Sequence, residues 1–154
     1  MKVIIPGSYD PVTLGHLEII KNTAKQYEEV FAVVFINPEK EYEFSLDERV
    51  KMLLLATEDI SNVTVSYSLG MVVDYMREHS IEKIIKGYRN KTDLEYEQKQ
   101  SEYNFLHGGY ETELIKCNPE FEKISSTVAR EAIKKNLPLD EILPKAVIEF
   151  IKNR

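Results

Sequence analysis

Four stretches of the chain concentrate side chains able to handle phosphate. The first is "PGSYDPVTLGH", Pro6 to His16, directly after the apolar run "KVII". Gly7 lets backbone amides approach a ligand closely. Ser8 adds a hydroxyl. Gly15 and His16 stand where a helix begins, and free N–H groups with the helix dipole favour an anion there. An imidazole at that place can donate to a phosphate oxygen. The second stretch is the polar loop "NPEKEYEF" with Lys40. The third is "KGYRNKTDLEYE", in which Lys86, Arg89 and Lys91 lie close together with Gly87 between the first two. Cations at the end of a buried strand are costly unless something negative meets them. The fourth is "KISSTVAR", Lys123 to Arg130, where three hydroxyl residues precede a helix. One of them is an ordinary N-cap; three, with Arg130 one turn in, make a second anion-binding helix start. Singly, these stretches also read as a capped turn, a solvated loop lysine and exposed helix charges, Glu97 among them. Jointly they describe a site for a polyphosphate. The chain has neither G-x-x-x-x-G-K-[ST] nor G-x-G-x-x-G, which excludes an ordinary P-loop or dinucleotide-binding site.

Positioning these stretches requires strands and helices in alternation. "KVII", Val30 to Ile36, Val63 to Tyr67, Lys83 to Ile85 and Thr112 to Lys116 read as strands, the second apolar almost without break, as parallel strands are. Helices are predicted over His16 to Gln26, with Leu17, Ile20 and Ala24 inward, and after a Ser45–Glu48 capping box, with Leu46, Val50, Leu53 and Leu54 inward. Further helices are predicted over Met71 to His79, from a Thr92–Glu95 capping box to His107, where "HGG" ends it, over Ser126 to Lys135, and after Pro144. Five alternations predict a single-domain α/β fold over residues 1–154, a doubly wound, Rossmann-like five-stranded parallel sheet with helices on both faces. Ligands of such sheets bind beyond the carboxyl ends of the strands. The four phosphate-handling stretches follow strands one, two, four and five.

Composition narrows the partners. With 154 residues, 43% of them hydrophobic, the chain can bury a core. Its net charge of −6 argues against a nucleic-acid partner. No apolar run approaches the roughly 20 residues of a membrane span, and the N-terminus lacks a signal-peptide pattern. Cys117 is the only cysteine, which fits a reduced, cytoplasmic setting. His79, His107 and Cys117 read as structural or exposed, with no metal role. Tyr96 and Tyr103 read as packing or subunit contacts.

"TLGH" (Thr13 to His16) and "ISSTVAR" (Ile124 to Arg130) match the two motifs of the T/H-x-G-H nucleotidyltransferase superfamily. With "FSLDERV" and "KGYRNKTDLEYE", nearly the whole chain resembles the bacterial phosphopantetheine adenylyltransferases. The resemblance implies transfer of the adenylyl group of ATP to 4′-phosphopantetheine, giving dephospho-coenzyme A and pyrophosphate. It implies Mg²⁺, held by phosphates and water with no protein ligand set, and a homohexamer. It gives His16 the role of stabilising the transition state, with Lys40 and Arg89 beside the reacting phosphates. Ser8, Lys40, Val72 and Lys86 match positions that meet phosphopantetheine. Ser8, Tyr9, His16, Gly87, Tyr88, Arg89, Glu97 and the run Phe121, Glu122, Lys123, Ile124, Ser125, Ser126 and Thr127 match positions that meet ATP. The chain departs from the family in having Lys86 where arginine is usual, Ser8 and Tyr9 for threonine and phenylalanine, and "IKCNPEFEK" ahead of the second motif. A nicotinamide mononucleotide adenylyltransferase would read His-x-G-His, whereas Thr13 stands here. A class I aminoacyl-tRNA synthetase fragment would be longer and less acidic, and a non-catalytic nucleotide sensor would have no need of His16.

Overall fold

A computed structural model describes all 154 residues. In chain order the elements are β1 (Lys2–Gly7), α1 (Leu14–Gln26), β2 (Glu29–Phe35), α2 (Leu46–Thr57), β3 (Val63–Ser68), α3 (Val72–His79), β4 (Lys83–Tyr88), α4 (Lys91–Gly108), β5 (Glu111–Lys116), α5 (Ser126–Lys134) and α6 (Lys145–Lys152), with a 3₁₀ turn at Pro119–Phe121. The five strands form one parallel sheet in the order β3-β2-β1-β4-β5. The chain winds outward from β1 to β3, then returns past β1 to lay down β4 and β5. The order therefore reverses between β1 and β4. This is the Rossmann-like α/β arrangement that the alternation predicts.

Strand periodicity divides the core between the two faces. Successive side chains of a strand point to opposite sides, and β1 does this with apolar residues on both. Val3 and Ile5 join Val30, Ala32 and Val34 of β2 in the larger cluster, closed by Ile19 and Ile20 of α1, Met52 and Leu53 of α2, and Val147 and Ile148 of α6. Ile4 joins Phe31, Val33 and Ile84 on the other face, under Tyr75 and Met76 of α3. His79 stacks on the Tyr75 ring at 4.0 Å, and its Nδ1 lies 2.9 Å from the Tyr75 carbonyl, which confirms a structural role at a helix end. No helix is long and apolar enough to cross a membrane.

Four details differ from the sequence reading. First, α1 starts at Leu14, two residues earlier than expected, because Thr13 is its N-cap. Second, β4 continues through Lys86, Gly87 and Tyr88, since these residues pair with Leu114, Ile115 and Lys116 of β5. Third, α4 is capped by Asn90, whose side chain accepts from the Asp93 N–H at 2.9 Å, and not by a Thr92–Glu95 box. The longer β4 leaves only two residues before the helix, so the cap falls on the earlier of two compatible positions. Fourth, Leu54 is 45% exposed. It follows Leu53 by about 100° of helix rotation, and the buried face of α2 is completed by Arg49 and Met52 instead.

Candidate active site

A cavity of about 530 Å³ opens at the carboxyl ends of β1 and β4, where the strand order reverses. All four phosphate-handling stretches contribute to it. Ser8, Tyr9 and His16 come from the β1–α1 turn, Lys40 from the β2–α2 loop, Lys86, Gly87, Tyr88 and Arg89 from β4 and its exit, Glu97 from α4, and Phe121, Ile124, Ser125, Ser126 and Thr127 from the segment leading into α5. Val72, Glu122 and Lys123 are not among the lining residues. Val72, the first residue of α3, packs against the smaller core cluster.

His16 is fixed by the start of its own helix. Thr13 caps α1: its Oγ1 accepts from the His16 N–H at 3.3 Å, while the Thr13 N–H donates to His16 Nδ1 at 3.0 Å. This is a capping box with histidine in the place usually held by glutamate or glutamine. Since Nδ1 accepts, the neutral ring must carry its proton on Nε2. Burial, reinforced by the positive charges of Lys86 and Arg89, lowers the His16 pKa to about 4. The ring is therefore a neutral donor at physiological pH.

The folded pKa of His16 lies below the ordinary 6.5, so the unfolded chain takes up the proton first as pH falls. The stability contributed by neutral His16 is complete above about 6.5 and is lost progressively towards about 4. An NMR titration should place the His16 midpoint near 4, and stability in urea should fall less steeply with acid in His16→Asn across this window. A midpoint near 6.5 would contradict the geometry.

The hydroxyls ahead of α5 are largely occupied by the fold. Ser125 is the N-cap and accepts from the Val128 N–H at 3.1 Å. Ser126 donates to the Pro11 carbonyl at 2.9 Å, and Thr127 Oγ1 accepts from Arg130 Nη2 at 3.1 Å. What α5 offers a ligand is therefore its first backbone N–H groups and dipole more than its hydroxyls. The Ser126–Pro11 bond also ties α5 to the β1–α1 turn, so two helix N-termini share one cavity. Gly87 allows β4 to sit close to α1, because a Cβ there would lie 3.1 Å from Ile19 Cγ1.

Lys86 and Arg89 are held by carboxylates that the sequence did not pair with them. Arg89 Nε lies 2.9 Å from Asp93 Oδ2, and Asp93 also accepts from the Arg89 backbone N–H at 3.1 Å. Lys86 Nζ lies 3.2 Å from Glu97 Oε2 and donates to the Pro6 carbonyl at 3.2 Å. Lys40 is exposed, 5.6 Å from the centre of the Tyr42 ring. Asp93, Asp10, Tyr96, Cys117 and Arg130 also line the cavity. Asp93 was legible as an acid one helical turn after Arg89. Tyr96, 62% exposed, stands on the cavity wall and not only on an outer helix face. Burial raises the Cys117 pKa, so its thiol stays protonated.

The acids of the cavity do not form a metal cage. Asp10 accepts two backbone N–H groups, Asp93 is paired with Arg89, and Glu97 with Lys86. No group of three metal-ligating side chains is present.

A neutral imidazole donor, two helix N-termini and four cations, Lys40, Lys86, Arg89 and Arg130, around a reversal point can position two anionic phosphates and neutralise charge that develops between them. Comparison with known proteins agrees with this chemistry. Residues 4–132 match the family model described as cytidylyltransferase-like. The phosphopantetheine adenylyltransferase of Thermobifida fusca (strain YX) is 36% identical over 151 residues, covering 98% of this chain and 92% of that protein. That of Clostridium novyi (strain NT) is 38% identical over 152 residues, covering 98% and 94%. The chain belongs to the phosphopantetheine adenylyltransferase family. In this family member the wording around the motif histidine is "DPVTLGH", and the capping box explains why Thr13 and His16 stand three residues apart. The lysine at position 86, unusual against the resemblance, keeps a positive charge on β4 and is neutralised by Glu97.

Proposed function

We propose that this protein transfers the adenylyl group of ATP to 4′-phosphopantetheine, releasing pyrophosphate and dephospho-coenzyme A. Membership of the family supports the reaction. The observation that carries its chemistry here is His16, a neutral donor with its proton on Nε2, at a cavity into which two helix N-termini open. An oxygen of the acceptor phosphate attacks the α-phosphorus of ATP in line. The bond from that phosphorus to the bridging oxygen breaks, and pyrophosphate leaves with the electron pair. No protein nucleophile is required, and the cavity's thiol is protonated. His16 Nε2–H, the first amides of α5, Lys40 and Arg89 meet the charge that accumulates on the reacting phosphates. Lys86 meets the acceptor phosphate. Mg²⁺ bound to the triphosphate would supply further charge neutralisation. We place the enzyme in a reduced, cytoplasmic setting, assembled as a homohexamer, on the family resemblance and the single cysteine.

Pyrophosphate release measured against a panel of acceptors tests the assignment. Release should need ATP, Mg²⁺ and 4′-phosphopantetheine together. Release with nicotinamide mononucleotide and none with phosphopantetheine would overturn it.

A further inference from the structure

Asp10 stands in the β1–α1 turn, away from any neighbouring segment in the sequence, and is 4% exposed. Its Oδ1 accepts from the Phe44 N–H and its Oδ2 from the Glu43 N–H, both at 3.0 Å. Arg130 Nη1 lies 3.6 Å from Oδ2 and donates to the Asp10 carbonyl at 2.8 Å. The buried Arg49 donates from Nε to the Phe44 carbonyl at 3.2 Å and from Nη1 to the Ser8 carbonyl at 3.1 Å. Its guanidinium also lies 3.9 Å from the centre of the Tyr42 ring. Within the loop, the Tyr42 hydroxyl accepts from the Asn37 N–H at 2.8 Å.

A carboxylate this buried is tolerated only when its charge is met by donors. The donors used here are two backbone amides of the segment that carries Lys40, and the guanidinium that also binds Thr127 stands by as a counter-charge. One side chain therefore joins the turn of His16, the loop of Lys40 and the first turn of α5. An exposed lysine on a polar loop has many rotamers to lose, and anchoring its backbone three residues away limits that freedom.

We propose that Asp10 is a positioning residue that latches the 37–44 loop to the β1–α1 turn and thereby sets Lys40 at the cavity. The catalytic half of this proposal rests on the reading of Lys40 as a group that meets the reacting phosphates. Asp10→Asn keeps the shape but offers one acceptor oxygen where two N–H groups need one each. It should leave one amide without a partner and loosen the loop.

Hydrogen exchange on the unligated protein tests the latch without any reaction. In the wild type the Glu43 and Phe44 amides should be the most protected of residues 37–44; in Asp10→Asn their exchange should rise at least about tenfold, with the sheet unchanged. Unprotected wild-type amides would overturn the latch even if the variant failed to fold. Kinetics then tests its purpose. Asp10→Asn should lower kcat about tenfold with the KM for ATP within about twofold, and should add less than about threefold in a Lys40→Ala background. Full multiplication of the two losses would overturn the link to Lys40. If Lys40→Ala alone left kcat unchanged, the reading of Lys40 would fail, and the exchange result would still decide whether the latch exists.

Discussion

His16→Ala should lower kcat at least about a hundredfold, because one preorganised donor aimed at developing charge is worth roughly 3–4 kcal/mol. The same substitution removes the acceptor for the Thr13 N–H, which should cost stability of about 1 kcal/mol by the usual scale of N-terminal caps. The two effects can be separated. In His16→Asn the side-chain oxygen can take the place of Nδ1, with no donor at the position of Nε2. Its stability at neutral pH should stay near that of the wild type while kcat stays low. Thermal melts and steady-state kinetics on the three proteins would check both halves. A folded alanine variant with nearly unchanged kcat would remove His16 from the reaction. An asparagine variant that recovered kcat along with stability would reduce it to a capping residue.

Lys86→Ala should raise the KM for 4′-phosphopantetheine by about tenfold or more, since truncating one partner of a hydrogen-bonded charge pair commonly costs roughly 2–5 kcal/mol. Lys86 Nζ is shared between Glu97, whose side chain is 12% exposed, and the Pro6 carbonyl. Without the lysine, Glu97 becomes an uncompensated negative charge beside the position we propose for the acceptor phosphate. The KM for ATP should change less, because Arg89 keeps its own partner in Asp93. Lys86→Arg preserves the charge and adds a planar fork that grips phosphate with two bonds, so most activity should remain. Varying each substrate in turn distinguishes the outcomes. An alanine variant weakened towards ATP alone would place Lys86 on the other substrate.

Much of this site could be read locally, and what could not has a common cause. The apolar runs of β1 and β2, the glycine that ends α4 and the hydroxyls before α5 are signals carried within a few residues, and they fall where expected. The partners of Lys86 and of Asp10 were hidden because they come from other elements. Glu97 reaches Lys86 from α4, and Asp10 reaches amides 33 and 34 residues further on. No spacing rule reports such pairs. The Thr13 cap was hidden for another reason: a capping box is recognised by glutamate or glutamine at its fourth position, and here histidine fills it. The cap of α4 was misplaced because Thr92 with Glu95 fits the capping-box pattern, whereas Asn90 caps alone, with aspartate three residues on. Only the pairing of Tyr88 with Lys116, which fixes where β4 ends, decides between them. Val72 was reached by resemblance alone, and it lies outside the cavity lining in this conformation.

We propose that two anions meet in this cavity and react directly, with no covalent adenylyl-protein between them. Isotope exchange between labelled pyrophosphate and ATP tests it most directly. The arrangement around His16 predicts that label enters ATP only when 4′-phosphopantetheine and Mg²⁺ are also present, with dephospho-coenzyme A identified by its mass. Exchange in the absence of an acceptor, or none in the presence of phosphopantetheine, would contradict the account.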